Sequence, residues 1–96
     1  MKKVMLNCSI LNLKGDIIKD QTGKELKINE LVANYLSSSK KTKDAMRKFR
    51  IAQAMYLDGD MELEDADYKM VKEAVEEAGA DILVTAQIFK ALGEKE

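Results

Sequence analysis

The spacing of the apolar side chains changes near residue 29 of this 96-residue chain. Before that point apolar and polar residues alternate, which is the period of a β-strand with one buried face. Residues 14–16 and 20–24 each combine a glycine with polar residues, which is typical of tight turns. The sequence therefore predicts a short β-hairpin-like element over residues 1–28. The buried face of its first strand is predicted to consist of Val4, Leu6, Cys8 and Ile10.

After residue 29 the apolar residues recur every three or four positions, as they do on the buried face of an α-helix. Four helices are predicted in this way. Asn29 and Thr42 are the expected N-caps of the first two, because their side-chain oxygens can accept a backbone N–H. The third helix is expected over about 64–78, followed by Gly79 as a left-handed residue, and the fourth over about 80–92.

These elements together predict one small α+β domain, in which a short N-terminal β-hairpin-like element is followed by a mostly antiparallel four-helix body. No internal repeat is evident in the sequence. The predicted parts of the domain are the β element at 1–28, the helical body at 29–92 and a tail at 93–96.

The second predicted helix has an apolar stripe that we expect to face the core. The stripe comprises Ala45, Met46, Phe49, Ala52, Gln53 and Tyr56. Phe49 and Phe89 are the only phenylalanines, and both are predicted core residues because aromatic side chains bury a large apolar area. Cys8, on the buried face of the first strand, is expected to be an inert structural thiol.

The chain contains no histidine and a single cysteine. Histidine is the usual proton shuttle near neutral pH and a common metal ligand, so its absence removes most hydrolase, transferase and zinc-site designs. The five glycines are isolated from one another, so there is no glycine-rich phosphate loop. We therefore expect a non-enzymatic protein without catalytic residues, cofactors or bound metal.

An acidic segment at residues 58–62 resembles the beginning of a calcium-binding loop, because Asp58, Asp60 and Glu62 alternate with other residues. The later loop positions depart from that pattern. A glycine, an aliphatic residue and a glutamate are needed there, and the chain has Leu63, Asp65 and Lys69. A turn followed by an acidic first helical turn is the preferred interpretation, since carboxylates are favoured at the positive end of a helix dipole.

Opposite charges are concentrated in two neighbouring segments. Residues 40–50 carry a net charge of +5 and residues 58–81 carry −8, within a chain of net charge −1. This pattern fits a pair of helices within one molecule, which we prefer, but also head-to-tail contacts between copies or an oppositely charged partner. Lys43, Arg47 and Arg50 share one helix face and could contact phosphates, although the overall charge argues against a dedicated nucleic-acid-binding protein.

The last predicted helix is apolar around nearly its whole circumference, which is typical of a central core helix or of an interface. Three short helices and a small β element cannot cover all of its apolar side chains. We expect a protein partner or self-association, with a possible homo-oligomer, along this helix, while Ile82 and Phe89 face inward. The candidate partner-binding residues are Leu83, Val84 and Gln87 on this helix, with Lys43, Arg47 and Arg50 in the basic segment.

No apolar run in the sequence approaches the length of about 18 residues that a membrane span requires. Residues 1–3 superficially resemble the start of a secretion signal, but the apolar stretch after them is broken by Asn7, Ser9 and Asn12. A single cysteine cannot form an internal disulfide, which fits a reducing compartment. These features predict a cytoplasmic protein without membrane association.

Five stretches spread over most of the chain resemble small proteins encoded by tailed bacteriophages and prophages. They are LKGDII at 13–18, LKINEL at 26–31, KFRIAQAMY at 48–56, MELEDAD at 61–67 and VTAQIFKAL at 84–92. The chain departs from those proteins at Asn29 and Ala86, where they have glycine. These motifs have a structural character, so the resemblance implies a phage accessory protein but no catalytic residue.

The predicted function is therefore that of a phage or prophage protein that acts through protein–protein contacts in the host cytoplasm. An assembly adaptor, a chaperone and an inhibitor of a host protein all fit this description. The alternative is a small regulator that contacts nucleic acid through the basic segment at residues 40–50.

Overall fold

The computed structural model describes residues 1–40 and 43–93 of the chain. These residues form two short strands and four helices, which confirms the predicted α+β class. The predicted N-cap Thr42 and residues 94–96 of the predicted tail lie outside the described residues. In chain order the elements are β1 (Lys2–Met5), α1 (Ile28–Ser37), α2 (Ala45–Leu57), β2 (Asp60–Leu63), α3 (Asp65–Ala78) and α4 (Ile82–Ala91).

β1 pairs with β2 in an antiparallel register that places Lys2 opposite Leu63 and Met5 opposite Asp60. The sequence predicts a turn and an acidic helix start at the position of β2. The structure has a strand there instead. In β2 only the side chains of Met61 and Leu63 face the core, and Leu63 is 2% exposed. Two apolar residues are too few to reveal a period of two in the sequence.

The connection from β1 to α1 contains an eight-residue repeat, so the expectation of no internal repeat is wrong. Ile10, Ile18 and Leu26 are joined in a ring of backbone hydrogen bonds. Ile10 N–H donates to the carbonyl of Leu26 at 2.8 Å, Ile18 N–H to that of Ile10 at 3.0 Å, and Leu26 N–H to that of Ile18 at 3.1 Å. This ring holds the three apolar side chains against the core.

Two turns of the same construction separate the members of this ring. Asn12 begins the first turn and Asp20 the second, and each side-chain oxygen accepts the backbone N–H groups two and four residues later. Gly15 and Gly23, three residues after them, have φ of 91° and 86°, a left-handed conformation that favours glycine. The repeat escapes notice in the sequence because only two of its eight positions are identical, Ile10 with Ile18 and Gly15 with Gly23.

α1 lies at the centre of the core, where it packs against both α2 and α3. Its buried apolar side chains have helical spacing and are Ile28, Val32, Ala33 and Leu36. The facing side chains are Ile51, Ala52 and Met55 of α2, and Val71, Ala74 and Val75 of α3. Each large aliphatic side chain in this core stabilises the fold by about 1.5–3 kcal/mol relative to its exposed state.

Asn29 lies inside α1 and is buried, so it does not cap that helix as predicted; the N-cap is Lys27. The Asn29 amide donates to the carbonyls of Met55 at 3.1 Å and Tyr56 at 3.3 Å. These carbonyls belong to the last turn of α2, where no intrahelical N–H can reach them. The side chain therefore joins the end of α2 to the beginning of α1.

The ends of the last two helices agree with their sequence signals. Gly79 ends α3 with φ of 66°, which confirms the predicted left-handed residue. Asp81 is the N-cap of α4, where its carboxylate accepts the N–H of Val84 at 3.0 Å. The hydroxyl of Tyr68 donates to the carbonyl of Leu92 at 3.0 Å and ties the end of α4 to α3.

Candidate protein-binding surface

α2 carries apolar side chains on two faces, and the fold buries only one of them. The residues that face the core are Ile51, Ala52 and Met55. Large apolar side chains on the other face are exposed: Met46 by 74%, Phe49 by 52%, Tyr56 by 49% and Leu57 by 86%. We call these four residues the α2 apolar surface.

The predicted inward stripe of this helix is wrong, because Ala52 is its only buried member. Both faces have the spacing of an amphipathic helix, so periodicity alone does not decide which of them is buried. In the fold, Ile51 and Met55 lie one turn apart and fill the contact with α1, which leaves Phe49 outside. Phe89, the other predicted core aromatic residue, is half-buried and packs against the core.

A groove of about 330 Å³ lies between α1 and α2, beside the α2 apolar surface. Its walls combine apolar side chains with the Asn34 and Gln53 amides, and none of the described residues that line it is charged. They are Ala33, Asn34 and Ser37 of α1, with Phe49, Ala52, Gln53, Tyr56 and Leu57 of α2. A partner can therefore bury apolar groups here and still find hydrogen-bonding partners at the walls.

A second, polar groove of about 260 Å³ shares Asn34 and Tyr56 with the first. Lys24 and Glu30 line it and form an ion pair at 3.0 Å. The hydrogen bond to the Glu30 carboxylate raises the pKa of Lys24. Tyr56 therefore lies at the boundary between the apolar groove and the polar groove.

The three basic candidate residues have different surroundings. Arg47 forms ion pairs with Glu64, at 3.4 Å, and with Asp67. These contacts join the basic segment to the acidic start of α3 within one molecule, which is the preferred explanation of the segregated charge. Lys43 and Arg50 are exposed, and Arg50 lies at the edge of the α2 apolar surface because it follows Met46 by about one helical turn.

The candidate residues of α4 lie apart from the basic ones in the fold, on a helix that packs against α3. Leu83 and Val84 are half-buried. The Gln87 amide is bonded to the backbone of Leu11: its oxygen accepts the Leu11 N–H at 2.8 Å, and its nitrogen donates to the Leu11 carbonyl at 2.6 Å. The Gln87 side chain therefore has a structural role in holding the β element to α4.

Ile82, which is predicted to face inward, is 86% exposed, so that prediction is wrong. Ile82 occupies the first position of α4, whereas the fully buried contacts of this segment come later, at Ile88 and Leu92. Only part of the apolar surface of α4 is therefore buried in the core.

Cys8 is exposed, so its predicted burial is wrong. Partial desolvation of the thiol, together with the nearby Asp60 carboxylate, raises the pKa of Cys8 above its ordinary value. The thiolate is the nucleophilic form of cysteine, and a raised pKa disfavours it at neutral pH.

Asp58 begins the segment that resembles a calcium loop, and its carboxylate is engaged in a turn. It accepts hydrogen bonds from the Asn7 amide at 2.7 Å and from the N–H of Asp60 at 3.0 Å. The bond from Asn7 holds the pKa of Asp58 below its usual range. Among residues 1–40 and 43–93, no group of three His, Cys, Asp or Glu side chains is placed to hold a metal ion.

No protein-family model, curated protein or solved structure matches this chain. In the described part of the chain, each helix is too short or too polar to cross a bilayer.

Proposed function

We propose that this chain is a non-enzymatic accessory protein that binds another protein through the α2 apolar surface and the adjoining groove. The observation that carries the proposal is the exposure of Met46, Phe49, Tyr56 and Leu57 on one face of one helix. Covering one such side chain contributes about 1.5–3 kcal/mol, so a partner that covers several of them gains considerable free energy.

The composition of the surface supports protein binding. Aromatic residues and methionine are enriched at protein interfaces, and a few such anchors carry most of the binding energy. Phe49 and Tyr56 lie about two turns apart on α2 and both line the groove. The amides of Asn34 and Gln53 are placed on opposite helices, where they can bond polar groups at the rim of a partner.

The non-enzymatic part of the proposal is supported by chemistry that the chain lacks. It has no histidine, and the raised pKa of Cys8 weakens its one thiol as a nucleophile. An assembly adaptor, a chaperone and an inhibitor each need a binding surface and no catalytic group. The phage or prophage setting, with the host cytoplasm as location, is proposed from the sequence resemblance alone.

A second candidate function is contact with single-stranded nucleic acid, and the exposure of Phe49 and Arg50 on the same helix favours it. Exposed aromatic rings next to cations form stacking platforms for bases. Two observations weigh on the other side: Arg47 is already paired with carboxylates of α3, and the net charge of the chain is −1. Protein binding is therefore the leading proposal.

Site-specific photo-crosslinking in the native cell tests the two functions against each other. A photoreactive phenylalanine analogue replaces Phe49 in one version of the protein and Glu73, exposed on α3, in the matched control. We expect an adduct with one protein from position 49 that survives nuclease treatment and is missing from position 73. An adduct that nuclease removes would favour the regulator, and the absence of any adduct specific to position 49 would overturn protein binding at this surface.

A further inference from the structure

We infer that the partner segment is an amphipathic helix whose apolar anchors are flanked by carboxylates. This inference rests on the proposed function, because it names the occupant of the α2 apolar surface. Three features of the described residues carry it: the shape of the groove, the charge beside it and the unsuitability of a second copy of this chain.

The α2 apolar surface has the length for a helix. The adjoining groove lies between two helices, and a third helix can pack its ridge of side chains into such a groove. The exposed residues extend from Met46 to Leu57, which corresponds to about 16 Å along the helix axis. About three turns of a partner helix span that distance, with anchors at spacings of three or four residues.

The exposed charges on and just before α2 favour an acidic partner, whereas the polar groove beyond Tyr56 carries charges of both signs. α2 contains three cationic residues and no carboxylate, and its lining residues in the groove are uncharged. Arg50 is exposed at the edge of the α2 apolar surface, and Lys43 is exposed just before the helix. Arg47 already pairs with two carboxylates at the start of α3, so a cation of α2 already binds acidic side chains within this molecule.

A second copy of this chain is a poor occupant of the same surface. Arg50 lies near the middle of α2, so two α2 helices packed in antiparallel fashion would bring their arginines together. The acidic helix of a second copy, α3, cannot supply the anchors either, because Val71 and Val75 are already buried in its own core. A different protein with an acidic amphipathic helix satisfies both requirements.

A displayed library of amphipathic helices of about 15 residues tests the inference. Apolar residues vary at the anchor positions, and every remaining position encodes glutamate, lysine or glutamine. The library is sorted on three versions of the full chain: wild type, Phe49→Ala with Leu57→Ala, and Lys43→Gln with Arg50→Gln. All four substituted side chains are exposed, so each version should fold, and thermal melts check this.

We expect the wild type to enrich helices with an excess of glutamate over lysine. The version with alanine at positions 49 and 57 should lose this enrichment, because the apolar anchors of a library helix then lack the side chains that they would pack against. The version without Lys43 and Arg50 should still enrich apolar helices, but with a smaller glutamate excess. The best glutamate-rich peptide should bind the wild type about tenfold less tightly when salt rises from about 50 mM to about 300 mM. Its affinity for the double variant Lys43→Gln and Arg50→Gln should depend less on salt.

Enrichment of neutral or basic helices that still requires Phe49 and Leu57 would overturn the acidic partner and leave the proposed function standing. The failure of every library helix to bind would overturn the helical occupant, while the crosslink from position 49 decides the proposed function separately. Binding to vesicles of phosphatidylcholine with about one third phosphatidylglycerol, lost in Phe49→Ala with Leu57→Ala, would assign the surface to a lipid. A wild-type dimer in sedimentation that the same substitutions abolish would assign it to a second copy.

Discussion

Gln87 of α4 binds the backbone of Leu11 with both ends of its amide, at 2.8 Å and 2.6 Å. The side chain thus takes the place that a neighbouring strand would occupy beside the short β segment around Leu11. The two residues are 76 positions apart in the sequence. This contact is one of the long-range links between the β element and the helical body.

The Gln87→Ala variant should be less stable than the wild type by about 1–3 kcal/mol, because each of the two hydrogen bonds to Leu11 that it loses contributes about 0.5–1.5 kcal/mol. Urea unfolding measures this loss, and hydrogen exchange should show faster exchange of the Leu11 amide. Lys90→Ala, on the exposed side of the same helix, is the matched control. Unchanged exchange at Leu11 in Gln87→Ala would contradict the structural role of this side chain.

Gly59 should not tolerate a side chain. A Cβ at this position would lie 2.5 Å from the Cβ of Asn29 and 2.9 Å from the backbone carbon of Leu6. Overpacking of this kind costs about 1–3 kcal/mol, so Gly59→Ala should lower the midpoint of urea unfolding. Asp60→Ala, at the exposed neighbouring position, serves as control, and equal midpoints for the two variants would show that the turn can move away.

Signals that act over a few residues were sufficient to predict the ends of the last two helices. Gly79 and the start of α4 near Asp81 follow from local backbone chemistry, and both are confirmed. Asn29 carries a similar local signal that the fold overrides, because its amide bonds to the last turn of α2 instead. A cap depends only on adjacent residues, whereas this contact depends on where another helix ends.

The candidate site could not be predicted from the sequence for a related reason. α2 has two apolar faces, and the choice between them depends on the position of α1 rather than on the helix itself. The sequence predicts Gln87 to be a partner-binding residue, because nothing near it in the sequence reveals its bond to Leu11. The ion pairs of Arg47 with the start of α3, in contrast, agree with a prediction from the sequence, in which a basic segment is followed by an acidic one.

The Asp58 carboxylate should titrate below its ordinary pKa of 3.8 in the folded protein. The hydrogen bond from the Asn7 amide favours the charged form, so the folded-state pKa lies below the unfolded one. The resulting stabilisation is fully present above the unfolded pKa and is lost as the pH falls through the folded one. NMR titration of the carboxyl carbon measures this pKa directly.

Asn7→Ala removes the donor and should move the pKa of Asp58 back toward 3.8. The pKa of Asp20 is lowered by its own bonds, first of all from the Thr22 hydroxyl, and should not change in this variant. Asp20 is therefore an internal control in the same titration. An unaltered Asp58 in Asn7→Ala would mean that the Asn7 amide does not set its pKa.

The two faces of α2 should respond differently to alanine. Ile51 is 8% exposed and belongs to the core, so Ile51→Ala should cost about 2–5 kcal/mol. Phe49, two residues earlier on the same helix, is 52% exposed, so Phe49→Ala should cost no more than about 1 kcal/mol although it removes more atoms. Urea unfolding of both variants at one pH gives the comparison. A large loss in Phe49→Ala would place the ring in the core, because a side chain available to a partner must be removable without unfolding the protein.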